Sequence, residues 1–273
     1  MFGGFTARPN FGNQLFPSRT LGQFGNISNA IAANFLAATG ITDATTINAI
    51  NQLVADLTFY GLIAKLRAVY PFVGSTATTQ KYNLLDPRDL DAAYRLFFSG
   101  GWTHSATGAL PNGLNAYADT FFNLNSMNSI NDISYGYYAR NNSISLGSFG
   151  WGVPIALIPA NEFYIRYTGS QKYGYLFDTG NDGGSALDCR GFNAMSRIAS
   201  NLKYIQLNAT ISTFTSASSG SLSSRTFVFS RGSQGYEDRE NAFGFIGNGL
   251  TSTDLTNLRN SVQTFQTTLS RNV

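Results

Sequence analysis

Three groups of residues in this 273-residue sequence invite a chemical reading. Glu237 and Glu240 lie in Tyr236-Glu237-Asp238-Arg239-Glu240, and glycoside hydrolysis needs two carboxyl groups flanking the scissile bond. Their odd spacing sends them to opposite faces of a strand, so a mixed-charge surface turn partly neutralised by Arg239 is expected instead. His104 with Ser105 and Asp119 supplies the residue types of a catalytic triad. No G-x-S-x-G elbow marks a nucleophile, and a turn histidine bonded to backbone is the expectation. The run Asp178-Thr179-Gly180-Asn181-Asp182-Gly183-Gly184 suggests a calcium loop, yet Gly180 and Cys189 stand where a helix–loop–helix site needs oxygen ligands. An irregular calcium site could draw only on Asp178, Asp182 and Asp188, against the simpler reading of a polar turn. One histidine and one cysteine are too few for a zinc centre. The glycines of Gly244-Phe245-Ile246-Gly247-Asn248-Gly249 lack dinucleotide spacing. No catalytic residue, metal or cofactor is therefore expected, and the chain is read as a non-enzyme.

Binding chemistry is better supplied. Trp102, Trp151, Tyr135, Tyr137, Tyr138, Tyr164 and Tyr173 offer flat faces beside Asn, Ser and Asp groups, the combination of stacking and hydrogen bonding that sugars need. Trp102, His104, Trp151 and Tyr173 are taken as the candidate glycan-binding residues. Charged residues make up 12% of the chain, with a net charge of +3, about half the usual charged share. The basic residues are scattered, whereas nucleic-acid binding needs a basic stripe, so no nucleic-acid partner is expected. The first twenty residues lack an apolar run behind a basic start, and no secretory leader is expected from them. No stretch has the ~20 apolar residues of a membrane span. Cys189, the single cysteine, excludes an internal disulfide and is expected to be an idle thiol.

These residues need elements to position them. Residues 1–28 carry Phe2, Phe5, Phe11, Phe16 and Phe24 among Gly, Pro and Asn, in no helical or strand period. They read as an extended arm that docks through its phenylalanines, either on its own body or on another subunit. Residues 29–71 read as a helical segment: Asn29–Thr39 stopped by Gly40, then an amphipathic helix over 44–68 with Ile47, Ile50, Val54 and Leu57 on one stripe. Residues 72–273 read as strands at intervals of roughly 8–15 residues with turn signals between them, which favours an all-β sandwich. The strands expected there include Ala92–Phe98, Tyr117–Phe122, Ile133–Arg140, Pro154–Ile158, Glu162–Tyr167, Phe192–Ile198 and Asn241–Ile246. Ser216–Ser224 reads as a loop. A C-terminal helix capped by Ser252 or Thr253 places Leu255, Leu258, Val262, Phe265 and Leu269 on one face, either against the sandwich or against a symmetry mate.

The run KYNLLDPRDLDAAYRLFFSGGWTHSATGALPNGLNAYADTFFN (Lys81–Asn123) and FGFIGNGLTSTDLTNLRNSVQTFQTTLSR (Phe243–Arg271) resemble bacteriophage virion structural proteins with a concanavalin/laminin-G-like jelly roll. A strand ending in IG-x-GL and leading into a capped C-terminal helix carries the likeness, together with Ile41–Gly74 as the helix before the jelly roll. The resemblance implies a mainly β jelly-roll sandwich with an extended N-terminal arm, N-terminal helices and a C-terminal helix. It implies a virion role as a head fibre, spike, decoration or tail component assembled in the host cytoplasm. The arm would bind other virion proteins, the protein would form a homo-oligomer, and the sandwich would be displayed outward, with adsorption to a host surface glycan as the alternative role. The resemblance carries no defined catalytic residues to this chain.

Overall fold

The computed structural model describes residues 21–144, 151–153, 160–167, 171–179, 182–232 and 235–273, with backbone alone for 21–29, 151–153, 160, 167 and 171. Helix α1 spans Leu21–Thr39 and α2 spans Ala44–Phe59. Asp43 caps α2 by accepting the Thr46 N–H at 2.8 Å. Its apolar stripe, Ala49, Ile50, Leu53, Val54 and Leu57, is buried. The helix expected over 44–68 stops early. Gly61 takes a left-handed conformation, φ +68°, just past the helix end, and Gly61 N–H and Leu62 N–H close back on Thr58 and Leu57 carbonyls. The chain then enters β1, Leu66–Tyr70. Likewise the expected arm ends sooner than residue 28, since Phe24 falls within α1.

A short helix α3 (Ala77–Gln80) precedes β2 (Phe97–Ser99), β3 (Trp102–Ser105), β4 (Gly108–Pro111), β5 (Tyr117–Asn123) and β6 (Ile133–Ala139). Then come β7 (Trp151–Val153), β8 (Ala160–Tyr167), β9 (Gln171–Asp178), β10 (Gly183–Ser185), β11 (Gly191–Ala199) and β12 (Leu202–Leu207). The last strands are β13 (Thr210–Phe214), β14 (Thr226–Phe229) and β15 (Asn241–Gly247), followed by α4 (Ser252–Thr268). The expected strand Ala92–Phe98 shrinks to β2, because Asp91–Ala93 form a 3₁₀ turn and Tyr94 adopts φ 60°. Residues 154–158, expected as a strand, lie outside the described residues. Ser216–Ser224 connects β13 to β14 without regular structure, as expected.

Among the described residues the strands form two antiparallel sheets. The first runs β13-β12-β11-β6-β15-β4-β3, with β1 also paired to β15; the second runs β10-β9-β8-β7-β14-β5-β2. The fold is thus a mainly β sandwich with helices toward its termini. One buried core lies between the sheets and includes Tyr70, Phe122, Tyr135, Tyr137, Phe163, Leu176, Met195 and Phe229. Gly174 on β9 marks their closest approach, since a Cβ there would stand 2.1 Å from Met195 Sδ.

A second core fills the space between the first sheet and the helices. Val69, Phe192, Ala194, Phe243 and Phe245 point outward from that sheet and meet Phe35, Leu53, Leu57, Leu258, Val262 and Phe265. Each such side chain taken from water contributes about 1.5–3 kcal/mol. The alternation in β1 serves both cores: Ala68 and Tyr70 face the second sheet, Leu66 and Val69 the helices. Helix α4 starts one residue earlier than expected, on a capping box in which Thr251 Oγ1 accepts the Asp254 N–H and Asp254 accepts the Thr251 N–H. Burial works against the Asp254 charge, but bonds from Lys65, at 2.6 Å, and Thr251 hold its pKa below the ordinary range. Arg271, just beyond α4, is buried and donates to the carbonyls of Pro71, Phe72 and Ala242.

Candidate ligand-binding face

Trp102 and His104 do come together. Their rings stack at 6.2 Å on β3, with Phe98 edge-on to both. The Trp102 indole N–H is already committed to the carbonyls of Ser99 and Tyr117. His104 is a strand residue, and not the backbone-bonded turn histidine expected. Its Nδ1 lies 2.6 Å from Gln80 Oε1, which can only accept, so Nδ1 carries the proton. Burial lowers the His104 pKa. Ser105 bonds Thr107, and Asp119 sits on β5 in the other sheet. Among the described residues no hydrogen bond joins the three into a triad. Tyr173 lies far along the second sheet on β9. Trp151 is placed opposite Phe229 and Phe163 in β7, but its side chain lies outside the described residues, as do Phe2, Phe5, Phe11 and Phe16 and the side chain of Phe24. Tyr135, Tyr137 and Tyr138, offered above as flat faces, are fully buried and cannot stack on a ligand.

The acids also differ from expectation. Asp178 is buried against Arg197 and Lys203, and Asp182 reaches the same Lys203 at 3.0 Å. Two cationic side chains therefore stand where a calcium ion would have to sit. Asp188 pairs with Arg190 on an exposed turn. Among the described residues these three carboxylates form no cation cluster. Glu237 is the larger surprise, because it and Arg239, expected in a surface turn, are buried. Its Oε1 accepts from Arg239 at 2.6 Å and from Tyr137 Oη at 3.0 Å, while Oε2 has no hydrogen-bond partner among the described residues. Burial pushes its pKa up to about 7 despite Arg239. Burial opposes the Arg239 charge as well, and the Glu237 carboxylate overcomes this and holds Arg239 above its ordinary range. Glu240 turns away toward Arg140 and Thr107, so the two glutamates do diverge. Cys189 is buried, and burial raises its pKa.

The residues best arranged to meet a ligand lie on the outer face of the second sheet. Strand β5 alternates strictly in burial, sending Ala118, Thr120 and Phe122 inward and Tyr117, Asp119, Phe121 and Asn123 outward. The register continues across six strands as Phe97, Asp119, Val228, Gly152, Glu162 and Tyr175. Tyr164 and Tyr173 form the adjacent pair on β8 and β9. At one end of this row Phe97, 53% exposed, packs against Phe121 with centroids 6.4 Å apart. At the other end Tyr164 and Tyr175 meet edge-on at 6.1 Å. Small or short residues, Val228 and Gly152, form the floor between these aromatic walls. Asp119 accepts from Phe121 N–H at 2.8 Å and from Thr226 Oγ1 at 3.1 Å, and Glu162 accepts from Tyr164 Oη. The face thus offers the rings of Phe97 and Phe121 at one end, that of half-buried Tyr175 at the other, and the half-buried Asp119 carboxylate, whereas Glu162 and Tyr164 are buried. The i, i+2, i+4 pattern Tyr117-Asp119-Phe121 was the signal for it, but Phe97, Phe121 and Tyr175 were not singled out from sequence.

No protein-family model and no curated protein matches the chain. Solved structures similar to it include a Trypanosoma rangeli sialidase in complex with a 2,3-difluoro-KDN ligand, at 7% identity and TM-score 0.48, over 78% of this chain and 39% of that one. They also include the binding domain of botulinum neurotoxin serotype D, at 10% identity and TM-score 0.46 over 72% and 52% of the two chains. A third is the binding domain of Paraclostridial Mosquitocidal Protein 1, at 10% identity and TM-score 0.38 over 73% and 53%. The chain spans 39% to 53% of the length of these proteins. The expectation of a non-enzyme is corrected at this point. A sialidase stands beside binding domains among the similar structures, so the exclusion of catalysis drawn from sequence does not stand.

Proposed function

We propose that the chain is a carbohydrate-binding module that receives its ligand on the outer face of the second sheet. The single observation that supports this is the row from Phe97 to Tyr175, where aromatic residues flank a low floor and the half-buried Asp119 carboxylate stands along it. Sugar rings present apolar C–H faces to such aromatics and hydroxyls to carboxylates. Among the described residues the first sheet has no equivalent site, since helices cover its outer face. The setting belongs to the same proposal: a virion surface, with residues 1–20 holding the module to other virion proteins and the sandwich turned toward a host glycan. The sequence patterns of Lys81–Asn123 and Phe243–Arg271 are what support that setting.

A glycan array carrying neutral and acidic oligosaccharides tests the binding. Phe97→Ala and Tyr175→Ala should each weaken the best ligand about tenfold, or about 1.4 kcal/mol, with unchanged thermal melting. Retained affinity in both variants overturns the placement of the site. In the same experiment, deletion of residues 1–20 should leave glycan binding intact while abolishing incorporation into particles. Unchanged incorporation rejects the virion setting.

A further inference from the structure

Several solvent-accessible arginines of this protein are paired with acids, and others are not. Arg88 pairs with Asp86, Arg95 with Asp89 and Asp91, Arg140 with Glu240 and Arg190 with Asp188. Arg231 has no acid. Its guanidinium lies 5.3 Å from the Tyr117 ring centroid and 5.7 Å from that of Tyr236, and among the described residues these rings are its only side-chain partners. Stacking on aromatic rings fixes the plane of a guanidinium while leaving its N–H groups free to donate. Such a held fork matches the two oxygens of a carboxylate or sulfate.

The position matters as much as the chemistry. Tyr117 is outward-facing on β5, two residues from Asp119, and pairs with Ser99, two residues along β2 from exposed Phe97. Arg231 therefore stands at the aromatic end of the proposed sugar face, about 7 Å along the strand from the Phe97–Asp119 pair. Among the described residues neither carboxylate of that face forms an ion pair with it. Both Asp119 oxygens are held by Phe121 N–H and Thr226 Oγ1, and Glu162, three strands away, is bonded by Tyr164. The guanidinium N–H groups are therefore not taken up by a carboxylate of this face.

We infer that Arg231, clamped between Tyr117 and Tyr236, is an anion-recognising subsite, and that the ligand is an acidic saccharide bearing a carboxylate or sulfate. This rests on the glycan-binding reading above. The neutral part of the sugar lies toward Phe97 and Phe121, and the acidic group turns to the Arg231 fork.

The experiment places each acidic glycan beside its carboxyl-reduced or desulfated counterpart on one array, probed with the full chain. An acidic form should bind at least about tenfold more tightly than its neutral counterpart. The arm that shows the preference identifies carboxylate or sulfate as the anion. Arg231→Gln should reduce the ratio to about one, and Arg231→Lys, which keeps the charge but loses the fork, should give an intermediate ratio. Thermal melting of both variants should match the parent. Binding without acidic preference, or a preference that survives Arg231→Gln, overturns the inference and leaves the glycan-binding reading standing. Absence of binding to every glycan overturns both.

Discussion

The two sheets of this sandwich treat their outer faces in opposite ways. The first presents Val69, Phe192, Phe243 and Phe245, and α1, α2 and α4 bury them completely. The second presents Phe97, Tyr117, Phe121, Tyr173 and Tyr175, which remain exposed or half-buried. Both faces are aromatic, so composition alone does not tell structural from functional surface. The difference lies in what accompanies the rings. On the covered face Phe192 and Phe245 stack in parallel at 6.0 Å within an apolar layer. On the open face the rings alternate with Asp119 and Arg231, whose polar groups could not be buried under a helix without hydrogen-bonding partners.

The largest expected effect tests the covered face. Phe265→Ala removes a buried α4 ring that meets Phe243, and should cost about 3–5 kcal/mol in urea denaturation. A loss no greater than at exposed sites would mean that the helix layer is dispensable.

The next effect lies at the end of the intersheet core, where Glu237 and Arg239 pair. Arg239→Met leaves a buried carboxylate alone and should cost about 3–5 kcal/mol at pH 8. The Glu237 pKa rises from 4.5 to about 7 on folding, so in that window the native state binds the proton that the unfolded state has released. Its contribution to stability therefore declines as pH rises from 4.5 to 7, by about 3 kcal/mol at most. The Arg239→Met penalty should accordingly shrink at pH 5, where Glu237 is protonated. Equal penalties at pH 5 and pH 8 would contradict the assignment.

The smallest effect belongs to the open face. Phe97→Ala, which should weaken sugar binding, should change the urea midpoint by an amount equivalent to no more than about 0.5 kcal/mol. A loss comparable to that of Phe265→Ala would erase the contrast between the faces.

Much of this architecture was legible in sequence because it rests on local period and local punctuation. The 3-4-3-4 stripe of α4 located its buried face, and the apolar residues of β5, β6 and β11 marked them as strands. Other features depend on distant partners. Glu237 reads as a turn residue until Tyr137, a hundred positions earlier in sequence, is placed against it. Strand β1 reads as the end of a helix until β15 supplies its ladder. The candidate face is harder still, because Phe97 and Tyr175 share a row only through the register of four intervening strands. Trp102 misled for the converse reason: its ring looks like a platform in sequence, but its N–H is tied to Ser99 and Tyr117.

The clasp formed by Arg271 has a consequence for assembly of the chain itself. Its guanidinium closes on Pro71 and Phe72, about two hundred residues upstream, and on Ala242. The strand that receives β1 is β15, again from the far end of the sequence. A ribosome must therefore release the chain as far as β15 before the first strand can be seated. Until then the apolar side of β1 and the underside of α2 stay open to water and to other chains, the interval in which such long-range sheets are most prone to stick.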